Sequence, residues 1–258
     1  MDLEITGKVA LVCASTGGLG LGIARALSEE GATAVVTGRR PEAVDAVVAE
    51  HPGTVGVVCD LADLDEVGTL VERAAQAAEG PVDILVLNGG GPPPGRADQL
   101  DDGDFVAAVD LLARVQRRLI ADALPSMRQR GWGRILAVGS SGVVEPLPDL
   151  AASNIGRAAL AAYLKSLATV IAADGVTCNM ILPGRIDTHR VQMLDARKAQ
   201  QAGISTEEAA RTSQATIPLG RYGTTTEFGR TAAFLCSAPA SYVTGSQIRV
   251  DGGLARSY

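Results

Sequence analysis

The stretch best suited to chemistry is a glycine-rich turn between an apolar run at residues 9–13 and a segment of helical spacing that starts at Leu19. Its glycines are Gly17, Gly18, Gly20 and Gly22. Small residues let the backbone approach a pyrophosphate, and the N-terminus of the following helix offers free N–H groups and a positive dipole end. The spacing therefore predicts the entry to a dinucleotide site. A tight turn that only needs positive φ is the alternative.

Two arginines follow the second predicted strand, residues 33–37. In a dinucleotide fold, the residue at the tip of this strand faces the adenosine ribose. An acid there would hydrogen-bond the ribose 2′-hydroxyl, whereas Arg39 and Arg40 can pair with a 2′-phosphate. These residues favour NADP(H) over NAD(H), with a solvated basic turn as the alternative.

Unusual residues also follow the next four predicted strands. They are Asp60 and Leu61, then Asn88, Gly89 and Gly90, then Ser140 and Ser141, then Pro183 and Gly184. Parallel strands bring their carboxyl ends to one edge of a sheet, and ligands bind at that edge. Packing alone does not explain why all these residues fall there, so the pattern predicts a ligand site.

The elements that position these residues alternate along the whole chain. The predicted strands are residues 9–13, 33–37, 54–59, 82–87, 134–139, 176–182 and 247–250. Helical segments separate them, with long ones at residues 105–130, where Pro125 should bend or break the helix, and at residues 151–173. This alternation predicts a single α/β domain, a doubly wound, mostly parallel sheet of the Rossmann type. Residues 188–216 read as an amphipathic lid over the site.

Composition and charge exclude several classes of protein. The 258 residues are 47% apolar and suit one domain with a large core. A net charge of -6 with 3% aromatic residues predicts no nucleic-acid partner. We expect no membrane partner, because the apolar stretch at residues 158–173 is interrupted by Lys165 and is too short to span a bilayer. The lack of a signal-peptide pattern and of CxxC pairs predicts a cytoplasmic protein.

Taken together, these motifs make the chain resemble the short-chain dehydrogenase/reductase family over essentially its whole length. It is most similar to a divergent subgroup related to the 3-oxoacyl-acyl-carrier-protein reductases. The family's TGxxxGxG turn is matched from Ala14, which replaces the first glycine, and the later segment from Pro183 to Thr188 fits its PGxxxT pattern. The resemblance implies cofactor contacts at Ala14, Ser15, Thr16, Gly18, Leu19, Gly20, Arg39, Arg40, Asp60, Leu61, Asn88, Gly89, Gly90, Arg157, Pro183, Gly184, Ile186 and Thr188.

The catalytic motif of the family is altered. The family uses a Ser, a Tyr about thirteen positions on, a Lys four after the Tyr, and an Asn on the preceding helix. The Ser corresponds to Ser140 or Ser141, but Ser153 and Arg157 stand where the resemblance expects Tyr and Lys. Asp110 replaces the Asn on the same alignment. An aliphatic hydroxyl is a much poorer acid than a phenol, and an arginine stays protonated.

Another group must therefore supply the proton that the family's Tyr would move. We consider His189 first, at the mouth of the site, then Asp110 and Asp149, with Tyr163 and Tyr222 as further options. For His189, Asp110 and Asp149 a solvated role is the alternative, and neither tyrosine is followed by a Lys four residues later.

Three functions compete. The first is an NADP(H)-dependent reductase of a carbonyl substrate, a small molecule or an acyl thioester, with an atypical proton relay. The second is a non-redox enzyme on the same fold, such as an isomerase, dehydratase or cyclase. The third is a cofactor-binding protein without turnover. The resemblance also implies a homodimer or homotetramer built through the two long helices.

Overall fold

The computed structural model describes residues 1–257, which form one sheet of seven strands. The strands are β1 Val9–Val12, β2 Thr33–Gly38, β3 Thr54–Val58, β4 Val82–Leu87, β5 Gly133–Val138, β6 Val176–Pro183 and β7 Gln247–Val250. They lie in the order β3-β2-β1-β4-β5-β6-β7, and all their pairings are parallel. The predicted α/β class with a doubly wound sheet is confirmed, and the sheet is wholly rather than mostly parallel.

Helices cover both faces of the sheet. They are α1 Gly18–Glu29, α2 Pro41–Glu50, α3 Leu64–Ala77, α4 Asp102–Val109, α5 Val115–Arg130, α6 Ala151–Ile171, α7 His189–Ala202, α8 Thr206–Ala215 and α9 Thr225–Leu235. One face packs against α3, α5 and α6, and the other packs against α1, α2 and α9. The segment at residues 188–216, which the sequence predicts to be an amphipathic lid, contains the two helices α7 and α8.

Strand β1 shows why the apolar runs become central strands. Val9 and Leu11 point into one core cluster, while Ala10 and Val12 point into the other. Successive side chains of a strand face opposite sides of the sheet, so a strand with helices on both sides must be apolar at every position. The same rule accounts for the fully buried runs of β4 and β5.

The strand order reverses between β1 and β4, and this reversal positions the site. Chain connections leave these two neighbouring strands in opposite directions, which opens a crevice beyond their carboxyl ends. The glycine turn follows β1, and Asn88 follows β4. The glycine turn and Asn88, which the sequence predicts to lie at one edge of the sheet, therefore face each other across this crevice.

The predicted helix at residues 105–130 is divided differently from the expectation. Helix α4 ends at Val109, a π-helical turn occupies Asp110–Arg114, and α5 continues to Arg130. Pro125 lies inside α5 and does not end it, because buried Leu124 and Met127 anchor the helix on both sides of the proline. Tertiary packing here outweighs the intrinsic cost of proline in a helix.

Helix α6 continues into a 3₁₀ turn, giving an uninterrupted segment Ala151–Asp174 that contains an 18-residue stretch with a mean hydropathy of 1.3. By length and composition alone this segment could cross a membrane, so the expectation that it is too short is wrong. A single helix of this kind is weak evidence of a span, because the core helix of a folded domain passes the same test. The side chains of Leu160, Leu164 and Ile171 pack in the core beneath the sheet.

The turn after β1 holds a non-glycine residue in the left-handed region, Ala14, at φ 47°. Its N–H donates to Thr37 Oγ1 at 3.0 Å, which helps to fix the turn. Gly20 must be small, because a Cβ there would lie 2.5 Å from the Ala14 carbonyl oxygen and 2.8 Å from Asn88 Nδ2. The first glycine of the family's turn is thus absent from the sequence, but the backbone keeps the conformation that favours glycine.

Replacing Ala14 by Gly should stabilise the protein by about 0.5–1 kcal/mol. The left-handed conformation costs an L-residue about 1–2 kcal/mol, and the greater freedom of glycine in the unfolded chain offsets part of that gain. Urea unfolding of the protein without cofactor measures the change. The matched control is Ala159→Gly on exposed α6, which should destabilise by about 1 kcal/mol. Equal destabilisation by both substitutions would contradict the strain at Ala14.

Candidate active site

A cavity of about 860 Å³ opens beyond the carboxyl ends of β1, β4, β5 and β6. The glycine turn forms one wall, and the loops after β4 and β5 form the floor. The N-terminal part of α6 and the inner face of α7 close the remaining sides. Because each strand end contributes to the same space, residues that are far apart in sequence face one another here.

Asn88 joins the two strands at the switch point. Its side-chain Nδ2 donates to the carbonyl oxygens of Cys13, at 3.2 Å, and of Ala14, at 3.1 Å. These bonds hold the glycine turn against the end of β4. Asn88 therefore fixes the width of the crevice in which a flat ligand could lie.

The glycine turn fits a dinucleotide pyrophosphate. Helix α1 starts after Gly17, whose position provides no side-chain cap, and its first turn contains no acidic residue. The first N–H groups therefore remain free for an anion. A Cβ on Gly90, which also lines the cavity, would meet no protein atom within 4 Å. The open space beside Gly90 is therefore part of the cavity, where the backbone of the loop after β4 can approach a ligand closely.

The residues expected near the adenosine lie outside this cavity. Arg39 and Arg40 are exposed beyond β2, and Arg40 lies 3.9 Å from Glu42. Asp60 and Leu61 follow β3, where the Asp60 carboxylate accepts the N–H of Ala62 at 3.0 Å. Arg39 and Arg40 are open to solvent, Asp60 is half-buried and Leu61 packs in the core, so the two arginines offer surface positions for the adenosine end of a cofactor.

Ser15 and Thr16 play a different part from the one expected. The Ser15 hydroxyl donates to the Val12 carbonyl at 2.6 Å and accepts the Thr37 N–H at 2.9 Å. Ser15 is fully buried and does not line the cavity, so its side chain braces the turn and does not contact a cofactor. The Thr16 side chain faces Gly38 of β2, where a Cβ would lie 2.6 Å from Thr16 Cγ2.

Ser140 and Ser141 both line the cavity beyond β5. Ser140 Oγ accepts the N–H of Gly142 at 3.1 Å, which caps a short 3₁₀ turn. This bond uses a lone pair of the hydroxyl oxygen and leaves its O–H free. The hydroxyl of Ser140 is therefore available as a donor toward a ligand oxygen.

Ser153 and Arg157 occupy consecutive turns on the face of α6 that lines the cavity. Arg157 Nη1 donates to the Val138 carbonyl at 2.6 Å, and Arg157 Nε donates to Ser153 Oγ at 3.3 Å. Burial, followed by the nearby charge of Arg190, lowers the pKa of Arg157 to about 10. The guanidinium is therefore still protonated at neutral pH and cannot exchange a proton with a substrate there.

A family model described as enoyl-(acyl carrier protein) reductase matches residues 13–255, nearly all of the chain. The chain belongs to the short-chain dehydrogenase/reductase family. It is 32% identical over 264 residues to the uncharacterized oxidoreductase YvrD of Bacillus subtilis (strain 168), covering 100% of both chains. It is 31% identical over 254 residues to the 3-oxoacyl-[acyl-carrier-protein] reductase FabG of Rickettsia conorii, covering 98% of both.

A solved structure supports the same assignment. The L-sorbose reductase from Gluconobacter frateurii, complexed with NADPH and L-sorbose, superimposes with a TM-score of 0.92 at 30% identity and 100% coverage of both chains. The resemblance to short-chain dehydrogenases/reductases that the sequence motifs indicated is thus confirmed, and with it membership of a family of oxidoreductases.

Three groups proposed as proton donors lie elsewhere. Asp110, at the family's Asn position, does not line the cavity, and its carboxylate pairs with Arg114 at 3.4 Å on an exposed face. Asp110 is the first residue of the π-helical turn 110–114, and its carboxylate is engaged with Arg114 rather than with the groups around the cavity. Tyr163 packs against the core below the sheet.

Tyr222 is bonded within the protein and does not line the cavity. Its hydroxyl donates to Asp195 Oδ2 at 2.6 Å. Burial and this hydrogen bond both raise the pKa of Tyr222, so its proton stays in place. His189 and Asp149 do line the cavity, and both are exposed.

Sequence reasoning missed the residues of α7 that face the site. Arg190, Arg197 and Lys198 all line the cavity, together with Leu194, which belongs to the apolar side of the predicted lid. The helical periodicity of this segment was visible in the sequence, but without the strand order nothing indicated which face of the segment turns inward. Arg185, on the loop after β6, also lines the cavity and was not predicted.

A buried carboxylate fastens α7 to its surroundings. Asp195 is 2% exposed and accepts hydrogen bonds from Tyr222 and from Ser213 Oγ, the latter at 3.2 Å. Arg185 Nη1 lies 3.8 Å from the same carboxylate. These partners come from α8 and from two loops, so one side chain holds together the elements that cover the cavity.

Asp195→Ala should loosen α7 and α8 without unfolding the sheet. Hydrogen bonds to a buried charge contribute about 1.5–3 kcal/mol, so amide exchange in both helices should accelerate about 10–100-fold. Hydrogen exchange resolved by segment measures this, with β4 as the internal reference. Tyr222→Phe should produce a smaller acceleration in the same segments, and Glu207→Gln, on the exposed side of α8, should produce none. Unchanged exchange in α7 for Asp195→Ala would contradict the role of Asp195.

Proposed function

We propose that this protein is an NADP(H)-dependent reductase of a carbonyl substrate with an atypical active site. The observation that carries the proposal is the intact cradle for the dinucleotide: the uncapped start of α1, the Asn88 bridge and the open glycine positions facing the cavity. This geometry favours a bound dinucleotide, and a bound nicotinamide favours redox chemistry over the non-redox alternatives.

The choice of NADP(H) over NAD(H) rests on the end of β2. Arg39 is exposed and makes no ion pair with any residue in the range 1–257, so its charge is free for a 2′-phosphate. Arg40 is turned toward Glu42 at 3.9 Å and contributes less. The solved relative that binds NADPH supports a nicotinamide cofactor of this kind. When bound, such a cofactor supplies a hydride.

The chain's own residues would bind and polarise the substrate. Ser140 donates its free O–H to the substrate oxygen, and Arg157 holds a ribose hydroxyl or a substrate anion with the N–H groups that Val138 and Ser153 leave free. Ser153 is a positioning residue, because its oxygen accepts the Arg157 Nε–H and thereby orients the guanidinium. Water or His189 then delivers the proton to the reduced oxygen.

A non-redox reaction is the second candidate. Among the described residues that line the cavity there is no tyrosine, and the lysine there, Lys198, lies on α7 rather than on α6. The acid–base pair that the family uses next to the hydride path is thus missing from its usual helix. An isomerase, dehydratase or cyclase would need only the polarising Ser140 together with Asp149 or His189 as a base. A protein that binds the cofactor but catalyses no reaction is the third candidate.

We also propose a cytoplasmic homodimer or homotetramer acting on a small molecule or an acyl thioester. All four cysteines are free and buried, which suits a reducing compartment. The outer face of α6 exposes Ala158, Ala159 and Ala162, small side chains that let a second copy pack closely.

Arg39→Asp should reverse the cofactor preference. Loss of a charge-assisted bond to the 2′-phosphate costs about 1.5–3 kcal/mol, or roughly 10–100-fold in the NADPH dissociation constant, while the new acid suits the 2′-hydroxyl of NADH. Calorimetric titration of both cofactors measures the two constants. Arg117→Asp, an equal change of charge on exposed α5, should leave them unchanged. Tighter binding of NADH by the unaltered protein would contradict the assignment of NADP(H).

The reductase itself is tested by NADPH oxidation with a panel of ketones, quinones and acyl thioesters. We expect turnover by the unaltered protein, and at least tenfold faster reduction of simple ketones by the double variant Ser153→Tyr/Arg157→Lys, since a positioned general acid contributes about 10²–10⁴-fold. Ser153→Tyr alone is the control. If no compound oxidises NADPH but one is rearranged without cofactor turnover, the non-redox function replaces the reductase.

A further inference from the structure

The cavity has a charge opposite to that of the protein. Although the chain has a net charge of -6, six cationic side chains line the cavity, with Asp149 as the carboxylate among its described lining residues. The cations are Arg96, Arg157, Arg185, Arg190, Arg197 and Lys198. A cleft lined by one sign of charge concentrates ligands of the other sign. The lining therefore favours an anionic ligand.

Several of these cations are already engaged. Arg96 pairs with Asp98 at 2.9 Å, and Arg185 lies 3.8 Å from Asp195. Lys198 Nζ lies 3.4 Å from Ser213 Oγ, within the same buried cluster. These three side chains are satisfied by the protein and need no ligand.

Arg157, Arg190 and Arg197 have no carboxylate within 4.0 Å among residues 1–257. Arg157 and Arg190 are the pair whose charges act on each other, whereas Arg197 lies two turns further along α7. Arg157 bonds only to a carbonyl and a hydroxyl, both neutral. Arg190 extends from α7 over the loop after β4, where a Cβ on Gly91 would lie 2.9 Å from its Nη2. Both guanidinium groups line the same cavity, Arg157 from α6 and Arg190 from α7, and the nearby charge of Arg190 disfavours the charged form of Arg157.

The anions of the cofactor have other binding positions. The pyrophosphate fits the uncapped N-terminus of α1, and a 2′-phosphate fits Arg39 at the open end of the crevice. Both positions lie away from Ser140, where the substrate oxygen would be polarised. The charges of Arg157 and Arg190 thus remain available on the substrate side of the cavity.

We propose that the substrate is an oxo acid whose carboxylate is bound between Arg157 and Arg190. This inference rests on the proposed reductase function and specifies its substrate class. Arg157 is bonded to the carbonyl of Val138, two residues before Ser140, so the carboxylate and the reacting carbonyl lie only a few bonds apart. Apolar side chains elsewhere in the lining, Leu147, Leu150, Leu194 and Leu254, accommodate the rest of the molecule.

The reaction balances with NADPH as the reductant. A hydride from NADPH forms the new C–H bond at the carbonyl carbon, the π-bond electron pair moves to the oxygen, and a proton from water completes the hydroxyl. NADPH becomes NADP⁺, and the oxo acid becomes the hydroxy acid. The carboxylate takes no part in bond changes and serves only to hold the carbonyl against Ser140.

The experiment compares an acid with its ester. The probes are 2-oxo-4-phenylbutanoate and its ethyl ester for turnover, and 2-hydroxy-4-phenylbutanoate and its ethyl ester for calorimetric binding to the protein with NADP⁺. We expect the acid to bind at least tenfold more tightly than the ester. Arg190→Gln should remove at least tenfold of acid affinity while changing ester affinity less than twofold, and Arg157→Gln should reduce acid affinity at least tenfold more than ester affinity. Arg157→Lys should retain part of the preference.

Two controls make the result specific. Arg211→Gln removes an equal charge from exposed α8, outside the cavity, and should leave the acid-to-ester ratio unchanged. The NADPH dissociation constant should change less than twofold in Arg190→Gln, whose exposed side chain makes it a safe variant for folding. Loss of NADPH affinity equal to the loss of acid affinity in both variants would make the pair a cofactor site and overturn the proposal.

The other outcomes separate the two proposals. If the unaltered protein binds the acid no more tightly than the ester, or binds neither, the oxo-acid inference is overturned even if other ketones are reduced. If the acid is bound preferentially through Arg157 and Arg190 but no NADPH is oxidised, the anion site stands and the reductase function fails.

Discussion

The bond between the Asn88 side chain and the turn after β1 is the constraint on which the site depends. It links the ends of β1 and β4, the neighbouring strands whose chain connections leave in opposite directions. The crevice between these connections therefore has a fixed width. Gly20 can pack beneath it only because it lacks a Cβ. The shape of the dinucleotide site therefore depends on the side-chain amide of Asn88 and on the absence of a Cβ at Gly20.

Much of this arrangement could be predicted from the sequence, because apolar strands and glycine turns are local signals. The bounds of β4 and β7 were predicted to the residue, and the gathering of Asn88 and Ser140 at one edge followed from parallel topology. The segment from α4 to α5 differs from the sequence prediction in two ways. The pairing of Asp110 with Arg114 at the π-helical turn was not predicted, and Pro125 does not end α5 because core packing holds the helix on both sides of it.

The inward face of α7 shows a further limit of sequence reasoning. Arg190 and Lys198 belong to a periodic pattern that any helical segment of mixed composition can display, and only the position of the helix over the cavity makes that pattern meaningful. The partners of Asp195 illustrate the same point, because they come from segments 18 and 27 residues further along the chain. Pairings of this kind depend on tertiary structure and have no signature in spacing.

The hydrogen bonds of Arg157 also limit which substitutions positions 153 and 157 can tolerate. Its guanidinium bridges the end of β5 to the turn of α6 that carries Ser153, so the two residues are one unit rather than two independent sites. A tyrosine at position 153 would remove the acceptor of Arg157 Nε, and a lysine at position 157 would lack the fork that reaches both partners. Each single substitution is thus disfavoured by the other residue, so the family's Tyr and Lys are compatible with this site only when both positions change together.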